Sequence, residues 1–327
     1  MHIYHDSDVD LNVLKGKKIS VLGYGAQGRA QALCFHDSGL DVTVGVRKNG
    51  KSWNKAKEDG LKVAEIVDAV KGADVVMMLL PDEVQPDIYK QYVEPNIKKG
   101  AALDFAHGFA ITFKLIVPPK DIDVIMMAPK APGDMEREVF LQGFGVPALV
   151  CVHQDATGNA KKIALALSKG LGATRAGVFE TSFDYETKTD LFGEQAVLCG
   201  GLTGLIKAGF KTLTEAGYPP EMAYFEVLHE VKLIQDLINK GGFEYMWHVV
   251  SNTAEYGGLT RRDKVITAES LKGMRTILAD VESGKFKDEW RAEWAAGLVN
   301  LKRMEEEEKK LQLESVGKEI RKLFERK

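Results

Sequence analysis

Two stretches of the chain carry residue types that could do metal chemistry. Asp190 and Glu194 stand four residues apart in DLFGE, and Glu226 and Glu230 repeat the spacing in EVLHE. On a helix that spacing puts both carboxylates on one face, one turn above the other. Their neighbours Leu191, Phe192, Val197, Leu198, Tyr224, Phe225, Val227 and Leu228 are core residues by type, so these faces are expected to look inward. Acids in such surroundings are strongly destabilising unless paired or bound to metal. Oxygen donors without a Cys or His cluster favour Mg²⁺ over Zn²⁺, and four carboxylates leave room for two ions. Taken singly, each pair also fits an ordinary amphipathic helix with solvated acids. Both pairs together, downstream of a nucleotide-binding signature, point to a site.

That signature opens the first half. Lys17–Leu22 reads as a strand and runs at once into Gly23, Tyr24, Gly25, Ala26, Gln27 and Gly28, then into a helical run through Ala30, Ala32, Leu33 and Phe35. This is GxGxxG in its strand–turn–helix setting, where glycines let a pyrophosphate approach the helix N-terminus. Leu40–Val46 supplies the second strand, and the residues just past its end decide the cofactor. NAD enzymes place Asp or Glu there for the ribose 2′-hydroxyl. Here the strand runs into Arg47, Lys48, Asn49, Gly50, Lys51 and Ser52. Arg47 by charge and fork geometry, and Ser52 by its hydroxyl, suit a 2′-phosphate, so NADPH is expected over NADH.

Alternation of strand and helix continues, with strands expected at 57–63, 74–80, 101–105, 123–128 and 147–152. The run Asp82, Glu83, Val84 and Gln85 comes after Pro81, just past the strand at 74–80, where ligands bind in doubly wound sheets. His107 and Lys130 arrive at the same rim from two successive strands, which makes them candidate catalytic groups. Near residue 180 the alternation stops and helical periodicity takes over. The expected architecture is an α/β Rossmann-type doubly wound sheet over 1–181, binding NADP, and an all-helical domain over 182–327 that carries the acid pairs.

Composition sets outer bounds. The 327 residues are 45% hydrophobic and 28% charged with a formal net charge of -3, which suits two globular domains and argues against a nucleic-acid partner. No run of eighteen apolar residues suggests a membrane span, and Met1–Asp6 lacks the apolar run of a signal peptide, so a cytoplasmic protein is expected. Cys34, Cys151 and Cys199 lie far apart in apolar segments and read as buried small hydrophobes.

The motifs GYGAQG, LLPDEVQ, FAHGF, VIMMAPK, VHQDATGNAK, TDLFGEQAVLCGG, YFEVLHE and SNTAEYG, in this order, resemble the short-chain class of ketol-acid reductoisomerase over essentially the whole chain. The resemblance implies two Mg²⁺ ions and NADPH, and conversion of 2-acetolactate or 2-aceto-2-hydroxybutyrate to 2,3-dihydroxy-3-methyl acids in valine and isoleucine synthesis. It implies that Asp190, Glu194, Glu226 and Glu230 are the metal ligands and that Ser251 contacts the substrate carboxylate, so that the helical domain over 182–327 binds metal and substrate, and that His107 and Lys130 belong to the active site. Tyr24, Gly25, Ala26, Gln27, Arg47, Ser52, Asp82, Glu83, Val84, Gln85 and Gly133 would line the cofactor. It further implies a knotted helical domain and a homodimer whose site borrows Glu226, Glu230 and Ser251 from the partner subunit. Ala26 and Gly50 stand where the family commonly has Ser, which leaves Arg47, Ser52 and the neighbouring lysines to hold the phosphate. Two other readings are a metal-free NADP-dependent hydroxy-acid or imine reductase, which has no use for four inward carboxylates, and a non-catalytic NADP(H) sensor.

Overall fold

The structure, a computed structural model, describes residues 2–324. It divides into two compact units, one ending at Thr189 and one beginning at Asp190.

The first unit is built on nine strands: β1 (Ile3–Tyr4), β2 (Lys18–Leu22), β3 (Asp41–Gly45), β4 (Lys62–Ala64), β5 (Val75–Met78), β6 (Ala102–Phe105), β7 (Asp123–Pro129), β8 (Ala148–Gln154) and β9 (Val178–Glu180). They form one sheet in the order β1-β9-β8-β7-β6-β5-β2-β3-β4. The six from β7 to β4 are parallel, β8 runs antiparallel to β7, β9 parallel to β8, and β1 antiparallel to β9. β5 and β7 are buried at every position, as parallel strands covered on both faces must be. Two apolar layers cover the sheet. Val21, Val44, Met77, Ile125 and Phe35 belong to one, and Leu22, Val76, Phe105, Met126 and Phe183 to the other.

The doubly wound sheet is as expected, with three local differences. The segment expected to be strand at 57–63 begins as the end of a helix, Lys51–Glu58, turns at Gly60 with φ +84°, and only then pairs as β4. β8 returns antiparallel, so the sheet is mixed. β1 and β9, two and three residues long, are too short for any periodicity to betray.

Strand order reverses at β2, between β5 and β3, which is where such sheets hold ligands. The first glycine of the turn is required by that closeness: Gly23 has φ +99°, and a Cβ there would sit 2.4 Å from Leu79 O beyond β5.

The second unit is helical. Phe210, Ala223, Tyr224, Leu313 and Ile320 form its core. Its helix Val231–Val249 breaks direction at Gly241 and Gly242, the latter at φ +75°. Two turns widen to i→i+5 hydrogen bonding, Glu194–Leu198 and Phe225–His229, closed by Cys199 N donating to Glu194 O at 2.9 Å and Glu230 N to Phe225 O at 3.2 Å. Such π-turns are rare and recur at functional sites. Both fall on the acidic pairs.

Candidate active site

The carboxyl ends of β2, β3 and β5 surround a cleft of about 820 Å³. Tyr24, Gly25, Ala26 and Gln27 line it from the glycine turn, Arg47 and Ser52 from the loop after β3, and Val84 from the loop after β5. The helix Ala26–Asp37 starts at this turn with Gly25 as its N-cap, so its first amides face the cleft mouth as an anion site. A second helix, Lys51–Glu58, starts beside it with Gly50 as N-cap, and puts Lys51 and Ser52 next to Arg47. The turn before this helix is closed by Gly50 N donating to Arg47 O at 3.2 Å.

Not every residue expected at the cofactor lines this cleft. Asp82 and Glu83 sit on the loop after β5. Gln85 is buried and turned inward, with Nε2 donating to Leu80 O at 2.8 Å and Asp82 Oδ1 at 3.2 Å, so it shapes that loop. Gly133 lies beneath the glycine turn. A Cβ there would come within 2.4 Å of Ala26 O and 2.8 Å of Gln27 N, so the helix Gly133–Leu141 rests directly on the turn's backbone. Gln27 also looks two ways. Its Nε2 donates to Ala131 O at 2.8 Å, and its Oε1 accepts from Gln31 Nε2 at 3.2 Å.

β6 and β7 deliver His107 and Lys130, and the structure brings them together on one buried carboxylate. His107 Nδ1 lies 3.0 Å from Glu186 Oε2, Gly108 N donates to that oxygen at 3.1 Å, and Lys130 Nζ donates to Glu186 Oε1 at 2.9 Å. The Glu186 side chain is 1% exposed. Burial alone would raise its pKa, but the bonds and charges of His107 and Lys130 outweigh that and hold it below the usual range, so Glu186 is ionised. An ionised Glu186 accepts a hydrogen bond from the Nδ1–H of His107, which leaves proton exchange to Nε2.

Motif and spacing do not single out Glu186, although a signal is there. It stands four residues before Asp190, as Asp190 stands four before Glu194, and the helix Phe183–Gly193 carries Glu186 and Asp190 one turn apart. Its role depends on strands more than fifty residues away in sequence, which spacing cannot reveal.

In the helical unit the expectation of inward acids does not hold for a single chain. Glu194, Glu226 and Glu230 are not buried, and among their apolar neighbours Leu198 is 64% exposed. Leu191 and Tyr224 are buried as expected, but Val197 and Leu198 are not, and Cys199, expected as a buried hydrophobe, is exposed too. The physical reason is a whole apolar face left open. Val197, Leu198, Leu205, Ile234 and Ile266 line a groove of about 600 Å³, and Glu226 and Glu230 stand on its wall. Among the described residues, Glu226 and Glu230 join no group of three potential metal ligands. Ser251 caps the helix Asn252–Val265, its Oγ accepting from Ala254 N at 3.2 Å.

A sheet with a dinucleotide cleft at its switch point, an ionised carboxylate clamped at the same edge, and a helical second unit rich in acid pairs define a dinucleotide-dependent oxidoreductase. Residues 13–177 match the acetohydroxy acid isomeroreductase NADPH-binding domain, and residues 183–326 the ketol-acid reductoisomerase C-terminal domain. The chain belongs to the ketol-acid reductoisomerase family. It is 54% identical over 323 residues to the ketol-acid reductoisomerase (NADP(+)) of Methanococcus maripaludis, covering 99% of this chain and 98% of that protein. To the enzyme of that name from Methanocaldococcus jannaschii it is 54% identical over 321 residues, 98% of this chain and 97% of the other. The solved structure of an NADH-preferring ketol-acid reductoisomerase from an uncultured archaeon superposes with a TM-score of 0.96 at 52% identity over 100% of both chains.

Proposed function

We propose that the chain converts 2-acetolactate or 2-aceto-2-hydroxybutyrate into the corresponding 2,3-dihydroxy-3-methyl acid, using NADPH and two Mg²⁺ ions. The observation that carries this reading is the ion cluster of Glu186, Lys130 and His107 at the sheet edge that also forms the dinucleotide cleft. In the first step an alkyl group migrates to the adjacent ketone carbon, while the tertiary hydroxyl loses its proton and the former ketone oxygen gains one. In the second step the new ketone is reduced.

The residues fit the groups this requires. Glu186 is a buried, ionised oxygen donor and Asp190 comes one turn later on the same helix, a hard donor set for Mg²⁺. Asp190 and Glu194 would be ligands from one subunit, Glu226 and Glu230 from another. Bound Mg²⁺ would acidify the hydroxyl and polarise the ketone. Lys130 and the Gly108 amide keep Glu186 charged and fixed, and His107, its tautomer set by Glu186, exchanges protons through Nε2. Ser251 would donate its hydroxyl proton to the substrate carboxylate. Arg47, Lys51 and Ser52 would hold the 2′-phosphate of NADPH, which supplies the hydride. Tyr24, Gly25, Ala26, Gln27 and Val84 would line that cofactor, with Asp82, Glu83, Gln85 and Gly133 shaping its surroundings.

We divide the labour at 181/182, the first part binding cofactor and the second metal and substrate. The open groove beside Glu226 and Glu230 supports a homodimer with shared sites, because its apolar lining needs a cover. The run Phe183–Glu215 is long and apolar enough to cross a bilayer, but Glu194 and Lys207 within it favour a protein cover. A cytoplasmic enzyme with a knotted helical half completes the reading. The test is reduced-nicotinamide absorbance with 2-acetolactate, with and without Mg²⁺. Metal-dependent oxidation that collapses in Glu226→Gln is expected; oxidation unchanged without Mg²⁺ would overturn the reading.

A further inference from the structure

Asp59 lines none of the surfaces assigned to cofactor, metal or substrate, yet it joins both halves of the dinucleotide cleft. It is the C-cap of the helix Lys51–Glu58, whose other end carries Lys51 and Ser52. Its Oδ2 accepts from the Tyr24 hydroxyl at 2.8 Å and from Arg29 Nε at 2.7 Å, and its Oδ1 accepts from Arg29 Nη2 at 3.0 Å. Lys55 Nζ adds an ion pair at 3.5 Å. Tyr24 belongs to the glycine turn and Arg29 to the first turn of the helix Ala26–Asp37. One carboxylate, 12% exposed, therefore bolts the pyrophosphate turn to the far end of the helix that carries the 2′-phosphate loop. With the hydroxyl held, the buried Tyr24 ring is fixed where it lines both the main cleft and the smaller recess shared with Lys51, Ser52 and Lys55.

We infer that Asp59 is a positioning residue that sets the spacing between the pyrophosphate turn and the 2′-phosphate loop, and so sets the preference for NADPH over NADH. The inference rests on the NADPH reading proposed for the cleft. An acid near a phosphate would by itself repel it. Here the charge is met by the two-pronged Arg29 and by Lys55, so the clamp is a source of geometry and not of repulsion. Two parallel bonds from a planar fork fix direction as well as distance, which a single ammonium could not do. Loss of the clamp frees an eight-residue helix to shift its N-terminal end, and the 2′-phosphate is the cofactor group that reads that end. NADH lacks that group and is indifferent to the shift.

The test compares the full-length chain with Asp59→Ala, Asp59→Asn, Asp59→Glu and Tyr24→Phe by equilibrium binding of NADPH and NADH and by thermal melting. Loss of a charged hydrogen-bond set predicts that Asp59→Ala weakens NADPH binding about tenfold while NADH binding changes less than about twofold. Tyr24→Phe, which removes one hydroxyl and leaves the ring, shows the same selectivity at smaller size even where Asp59→Ala melts early. Asp59→Glu recovers part of the discrimination. Equal weakening toward both cofactors, or NADPH binding that is unchanged or tighter, would overturn the inference. A parent chain that binds neither dinucleotide would instead overturn the cofactor reading itself.

Discussion

Lys130 Nζ donates to Glu186 Oε1 at 2.9 Å, which ties the loop after β7 to the helix Phe183–Gly193 through a side chain that water barely reaches. The two partners are not equivalent. Lys130 is about a third exposed and can be solvated; Glu186 cannot.

Removing Lys130 should therefore cost more than removing Glu186. Lys130→Met leaves a buried carboxylate with one cation fewer, a defect of roughly 1–3 kcal/mol that His107 and the Gly108 amide only partly offset. Glu186→Gln keeps the shape but sets a buried NH2 against either Lys130 Nζ or the Gly108 amide, so melting also falls, though by less than in Lys130→Met, while turnover falls at least about a hundredfold. The sign in acid comes from the depressed pKa of Glu186: its contribution is full above the unfolded-state value near 4.5 and is lost as pH falls through the lower folded-state value. Acid unfolding of Lys130→Met should begin at higher pH than that of the parent chain. Melting curves from pH 3 to pH 7, in roughly unit steps, would show no separation if the pair were idle.

Glu136 gives the opposite slope. It is 1% exposed, neither oxygen has a hydrogen-bond partner among the described residues, and burial pushes its pKa from 4.5 up to about 8. Between those values the folded chain keeps a proton that the unfolded chain has released, so stability drops as pH rises and levels off above the folded value, at about 1.4 kcal/mol per pH unit at its steepest. Glu136→Gln should flatten this part of the curve and stabilise the chain at pH near 8.5. Asp104, wholly buried in β6 with no side-chain partner for either oxygen among the described residues and its pKa raised well above the usual range by burial, adds to the same trend. Urea midpoints at two pH values decide it: parallel parent and Glu136→Gln curves would mean the carboxyl is hydrated after all.

Gly133→Ala tests the packing under the cofactor. Its Cβ would overlap the backbone of Ala26 and Gln27, and backbone cannot swing aside as a side chain can. The substitution should cost roughly 1–3 kcal/mol by overpacking and weaken NADPH binding. Gln27→Leu, which breaks only the side-chain bonds to Ala131 and Gln31, should leave melting nearly unchanged and weaken binding less. Normal affinity in Gly133→Ala would show that the helix Gly133–Leu141 can retreat without moving the turn.

These outcomes divide along the line between what sequence carries and what it does not. The glycine turn, the basic loop after β3, and the rim positions of His107 and Lys130 are local: each comes from a strand's apolar run and the residues just past its end. Glu186 gains its partners only where β6 and β7 deliver His107 and Lys130, and Gln85 and Gly133 support the cleft and do not line it, because facing direction depends on tertiary contacts. The acid pairs were legible as four-residue spacings, but the wide turns at Glu194–Leu198 and Phe225–His229 were not, since an i→i+5 turn has no signature in residue type. Apolar neighbours imply an inward orientation, but only some of them are covered on one chain: Leu191 and Tyr224 are buried, Val197 and Leu198 are exposed.

That open face leads to the sharpest test of the shared site. Glu226 and Glu230 stand on the wall of an apolar groove and, among the described residues, join no ligand group, whereas Asp190 shares a helix with the buried Glu186. If one subunit supplies Asp190 and Glu194 and the other supplies Glu226 and Glu230, then Asp190→Asn and Glu226→Gln should each abolish turnover alone, yet complement when mixed. Unfolding and refolding an equal mixture places about one half of the dimers in the mixed class. In each mixed dimer one site carries both lesions and the other none, so about a quarter of the parent activity should return. If every site were built within one chain, each site would carry one lesion whichever partner it had, and the mixture would stay as inactive as its components.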